Sequence, residues 1–183
     1  MKITEDQYDA AVRTCRGIFL QKTRDYGTSW RVLRPVSIVD QLYIKARRIR
    51  TLQETKTGKV GEDKAGEFRA MVNYGVIGLI QLSIEPGVTE ELTEIEASER
   101  YEGKIALVRE TMLAKNHDYG EAWREMSQEG FTDLILMKLL RIRQIVANDG
   151  KTLISEGIDS NYIDIINYSL FALILIDEGK HTQ

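Results

Sequence analysis

Lys115-Asn116-His117-Asp118-Tyr119-Gly120-Glu121-Ala122-Trp123 is the second appearance of a pattern first written as Lys22-Thr23-Arg24-Asp25-Tyr26-Gly27-Thr28-Ser29-Trp30. Lys, Asp, Tyr, Gly and Trp keep their places, at a constant shift of 93 (118 − 25 and 123 − 30), and the chain's 2 Trp residues are both inside these copies. Rare residues do not fall twice into one register by accident, so the chain reads as a tandem duplication. The register extends outward. Tyr8 pairs with Tyr101, Arg16 with Arg109, Asp40 with Asp133, Lys45 with Lys138 and Arg48 with Arg141. One inserted residue then moves the shift to 94, pairing Glu62 with Glu156 and Asn73-Tyr74 with Asn167-Tyr168. The expected organisation is a first unit over 1–87, an acidic linker over 88–100 and a second unit over 101–183, packed together as one globule.

Composition suits a helical protein with a real core. The chain has 183 residues, 43% of them hydrophobic, and only 2 Pro; proline is excluded from helix interiors. Charged residues make up 29% and the formal net charge is −3, too weak a field to argue for nucleic acid or a membrane surface. The single Cys15 excludes an internal disulfide and a cysteine-based zinc site, which fits a reducing compartment. The first residues carry no apolar run, and the most apolar stretch, Tyr162 to Ile176, is too short for a bilayer and contains Asp164 and Asn167. A cytoplasmic protein without a membrane partner is expected.

Periodicity predicts three helices per unit. Tyr8, Ala11, Val12, Cys15, Ile18 and Phe19 make one apolar face of a first helix, started by a Thr4/Gln7 capping pattern and stopped near Gly27. A second helix follows Ser37, and Thr55 to Lys64 reads as a loop. A third, from about Gly66 to Ile84, is apolar nearly all round over Val76 to Leu82. Acidic residues 88–100, with Thr89 as a cap, form a linker helix or fuse with the next one. The second unit repeats the plan over Glu99–Lys115, Thr132–Ala147 and Asp159–Ile176. Three helices cannot enclose so apolar a third member. An all-α bundle of two pseudo-two-fold-related three-helix units, with the two third helices paired at its centre, follows.

Asp164 is the most conspicuous polar residue. It shares a face with Asn167 on a helix otherwise made of Tyr, Ile, Leu and Phe. A carboxylate there needs a partner, either Lys138 or Arg141 as an ion pair, or a ligand or metal. Lys138 and Arg141 stand three apart on one helix face, repeated as Lys45 and Arg48, and two cations so placed suit a phosphate chain as well as a solvated surface. In Asp-Tyr-Gly-x-x-Trp the glycine ends a helix, and the rings of Tyr119 and Trp123 either anchor the core or form a wall on which a base stacks. His117 and His181 have no ligand spacing.

Taken in combination, Lys115-x-x-Asp118-Tyr119-Gly120-x-x-Trp123, Asp133-x4-Lys138-x-x-Arg141-Ile142 and Glu156-x7-Asp164-x-x-Asn167-Tyr168 resemble the nucleotide modification associated domain 1 family. That family is similar in turn to the all-α MazG-like nucleoside triphosphate pyrophosphohydrolases. The resemblance implies a nucleotide-handling protein and Mg²⁺-dependent hydrolysis between the α- and β-phosphates. Asp164, Glu156 and Asp118 would hold the metal, with Asp164 and Glu156 catalytic. Lys115, Lys138, Arg141, Asn167, Lys45 and Arg48 would bind substrate together with Asp118, Tyr119 and Trp123. The chain departs from the MazG-like pattern where Lys138-x-x-Arg141 replaces a carboxylate pair, and Ala70 stands at the position of Asp164 in the first unit. The first copy therefore reads as degraded. The alternative is a non-catalytic helical module that binds a nucleotide or a protein, a second copy of the chain included.

Overall fold

The structure, a computed structural model, describes residues 2–55, 63–153 and 156–183, and among these it contains helices and no strands. The α-helices are α1 (Lys2–Tyr26), α2 (Pro35–Thr55), α3 (Lys64–Leu82), α4 (Glu94–Tyr119), α5 (Gln128–Ala147) and α6 (Ile158–Asp177). The expected loop over Thr55–Lys64 falls mostly at 56–62, outside the described residues, as does Glu62.

The two Asp-Tyr-Gly copies fold alike. Gly27 and Gly120 adopt left-handed φ values of 67° and 61°, a conformation glycine accepts without a Cβ clash. Their amides close the preceding helix by donating to Thr23 O at 2.8 Å and Asn116 O at 2.9 Å. One 3₁₀ turn follows each, Ser29–Val32 and Ala122–Glu125, with the tryptophan second in the turn.

Four helix starts differ from expectation, each for a local reason. Thr4 lies inside α1, and its hydroxyl donates to Glu121 rather than capping. Pro35 is the first residue of α2, where a missing N–H is harmless. The capping box of α4 is Thr93 with Glu96, not Thr89, so the acidic stretch from Glu94 is the start of that helix. Ser127 accepts from the Gly130 amide at 3.0 Å and starts α5 ahead of Thr132.

At the centre α3 and α6 cross antiparallel. A Cβ at Gly75 would lie 2.6 Å from Ile166, and one at Gly78 would lie 2.8 Å from the Tyr162 ring, so glycine is what permits the approach. Both helices are buried over most of their length. Asn73 and Asn167 stand at equivalent points on them, and each is bound by a tyrosine of the other unit. Tyr101 donates to Asn73 Oδ1 at 2.7 Å, and Tyr8 donates to Asn167 Oδ1 at 2.7 Å. The amide nitrogens donate to Cys15 O at 2.9 Å and Val108 O at 3.3 Å, themselves register mates. Burial pushes the Cys15 thiol up to about 12, in keeping with a core residue.

The outer helices repeat the exchange with charges. Arg16 meets Glu102 at 2.5 Å while Arg109 meets Asp9 at 2.9 Å, joining α1 to α4. Asp40 meets Arg143 at 2.9 Å while Asp133 meets Arg50 at 3.4 Å, joining α2 to α5. Partly exposed pairs of this kind are worth under about 1 kcal/mol each, so they orient the helices more than they hold them. Among the described residues no helix is long and apolar enough to cross a membrane.

The buried Tyr–Asn bonds are expected to be equivalent. Tyr8→Phe and Tyr101→Phe should each lower the unfolding free energy by about 1–3 kcal/mol, because a buried amide oxygen loses its donor. Chemical denaturation checks this, and a change under about 0.5 kcal/mol in either variant would mean that the bond is dispensable.

Candidate functional site

Asp164 is 6% exposed and is held by two ammonium groups. Lys115, near the end of α4, reaches Oδ1 at 2.5 Å, and Lys138 of α5 reaches Oδ2 at 2.7 Å. Of the partners considered for Asp164, Lys138 is present, Arg141 is not, and Lys115 is added. Burial works against the charge on Lys115, but the hydrogen bond and charge of Asp164 outweigh it and hold the pKa above the ordinary lysine value. Burial, with the Asp164 charge, also raises the Tyr168 phenol.

Of the other expected site residues, Arg141 lies near enough to act on Tyr168, and Glu156 near enough to act on Lys115, without either touching Asp164. Arg141 is exposed and lines, with Glu156, a shallow groove between α5 and the segment before α6. Asp118 and Tyr119 project from the end of α4, with Tyr119 74% exposed and Asp118 beside His117 at 3.1 Å. Trp123 is buried and stacks on Phe171, ring centres 4.2 Å apart and planes 6° from parallel. Asn167 is committed to Tyr8 and Val108 at the bundle centre. The three carboxylates read as metal ligands do not converge. Asp164 already holds a lysine on each oxygen, and among the described residues no three His, Cys, Asp or Glu side chains group as a metal-ligand set.

In the first unit the same elements enclose space. A cavity of about 540 Å³ opens between α1, α2 and α3. Lys22, Lys45 and Arg69 line it together with Tyr26, Trp30 and Tyr74. Ala70 and Ile77 form its floor on α3, and among the described residues no acidic one lines it. Lys22 and Lys45 are the register mates of Lys115 and Lys138, but Ala70 brings no carboxylate to meet them. Glu67, one turn earlier on α3, bonds Arg48 and reaches Lys45 only at 3.5 Å. Among the described residues Lys22 and Arg69 make no ion pair. The Lys45 ammonium lies 5.7 Å from the Tyr74 ring centre.

The cavity is thus on the first unit, whereas any complete site is expected mainly on the second. Lys22 and Trp30 belong to the repeated motif, but nothing in the sequence marks the first copy as the site. Arg69 carries no separate signal, whereas Tyr74 is marked by its register match to Tyr168. In the sequence the exchange of Asp164 for Ala70 looks like decay, because a sequence does not show what volume an absent side chain leaves.

Asp164→Asn is expected to lower stability by about 3–5 kcal/mol, because it strands the Lys138 charge in the core. The Lys115 contribution in the parent protein is fully present below the ordinary lysine pKa. It is lost as pH rises through the raised folded value. Denaturation curves between neutral and strongly alkaline pH should therefore converge for parent and variant.

No curated protein and no solved structure shows significant similarity to the chain. The signature of a known domain family matches residues 22–82 and 115–176, two segments that contain both copies of the lysine pair and both tryptophans. With most of its length covered in two copies, the chain belongs to the nucleotide modification associated domain 1 family.

Proposed function

We propose that the protein binds a nucleotide in the cavity of its first unit. The observation that carries this reading is the lining: three cations and four aromatic side chains around about 540 Å³, with no carboxylate among the described residues that line it. That volume lies in the usual small-molecule range of about 300–1,000 Å³. Lysine and arginine at a partly desolvated wall attract phosphate oxygens strongly, and a nucleobase stacks on Trp30, Tyr26 or Tyr74. A lysine at a surface is ordinarily just solvated, and Lys22 alone would support nothing. Three cations face one half-open space, and among the described residues only Lys45 has an ion-pair partner there, Glu67 at 3.5 Å, so an anion would neutralise the wall.

The finer activity implied by the MazG-like resemblance, Mg²⁺-dependent cleavage between the α- and β-phosphates, needs carboxylates that hold the ion. Among the described residues the cavity offers none, and in the second unit Asp164 is already paired and no three acidic side chains group as a metal-ligand set. We therefore favour binding without a resident metal, any Mg²⁺ arriving with the nucleotide.

Calorimetric titration with ATP, ADP and AMP, with and without Mg²⁺, should give saturable binding. Lys22→Ala should weaken it by about tenfold, the loss of one charge-assisted contact, while Arg141→Ala leaves it unchanged. Absence of binding by the parent protein would overturn the reading. Release of pyrophosphate and nucleoside monophosphate from ATP with Mg²⁺ would overturn its non-catalytic part.

A further inference from the structure

We infer that the second unit is a copy of the same pocket filled by its own side chains, and that the two side chains filling it outline the ligand of the first. This rests on the nucleotide-binding reading. The two pockets share their frame. Lys22, Lys45 and Trp30 return as Lys115, Lys138 and Trp123. They differ on the floor, where Ala70 becomes Asp164 and Ile77 becomes Phe171. In the second unit the Asp164 carboxylate lies between the two lysines at 2.5 and 2.7 Å. The Phe171 ring lies on Trp123 at 4.2 Å, nearly parallel. An anion between two ammonium groups and a flat ring on an indole are the two things the first unit lacks, and their removal leaves the open cavity.

The spacing narrows the class of ligand. Asp164 and Phe171 are seven residues apart on one helix, a rise of about 10 Å along its axis. A nucleoside monophosphate would place its base on Trp30 and its phosphate between Lys22 and Lys45 only at full extension. A second or third phosphate covers the distance. The ligand is accordingly a nucleoside di- or triphosphate, bound once per chain, with its terminal phosphate at the lysine pair.

Three measurements test this. Titration of the intact protein with ADP or ATP should saturate at one equivalent, with AMP weaker by about tenfold or more. Transplanting the filling into the first unit, as Ala70→Asp with Ile77→Phe, should weaken ADP binding by about tenfold or more while the helical circular dichroism spectrum is kept. Ala70→Asp alone, at a half-buried wall position, serves if the double variant does not fold, with the same loss expected. Two equivalents per chain, AMP bound as tightly as ADP, or undiminished ADP binding by a folded Ala70→Asp protein would each overturn the inference and leave nucleotide binding standing. No binding of any of the three nucleotides by the intact protein would overturn both.

Discussion

Two helices apolar on nearly every side must hide in each other, and the polar groups they carry into that contact must be answered there. In this protein α3 and α6 meet closely because Gly75 and Gly78 leave room for Ile166 and Tyr162. The contact carries one amide from each helix, Asn73 and Asn167. An unanswered amide in such a place costs about 1–3 kcal/mol, comparable to the worth of a large core side chain. Tyr101 and Tyr8 remove that cost, and in doing so fix where α4 and α1 lie across the central pair. The arginine–carboxylate pairs of the outer helices then follow the alignment rather than set it.

The helical plan was legible because it rests on local chemistry. Gly27 and Gly120 end helices wherever they are placed after a helical run, and the apolar faces of α1 and α3 declare themselves by period. Boundaries failed where two local signals competed: Thr89 and Thr93 both look like caps, and Glu96 decides for Thr93. The site was legible only in part. That Asp164 needs a partner follows from its neighbours in sequence. That Lys115 is one of the partners does not, because it arrives from another helix at a distance in the chain that no periodicity encodes. The cavity is a matter of relative side-chain volume across a fold, Ile77 against Phe171 and Ala70 against Asp164, and gains meaning only once the backbone around both is known to be alike.

The two units also show how a small shift of charge redistributes a site. The first carries its buried carboxylate at Glu67, where the second has Asn161; the second carries it at Asp164, where the first has Ala70. One helical turn separates the positions. At Glu67 the carboxylate is taken up by Arg48, with Lys45 at 3.5 Å, and Lys22 makes no ion pair among the described residues, whereas at Asp164 it draws in both lysines. The backbone tolerates either arrangement, since both keep the buried charge compensated.

The exchange of tyrosines has a consequence for how the molecule comes apart. Each central asparagine depends on a hydroxyl supplied by the opposite half of the chain. Neither half can keep its amide satisfied alone, and each would expose the apolar flank of α3 or α6 on separation. The whole chain is therefore the smallest cooperative unit, losing its structure in a single transition rather than half by half. Severed between the halves, at the Pro86–Gly87 turn, the two fragments would be mutual folding templates, each ordering only in the presence of the other.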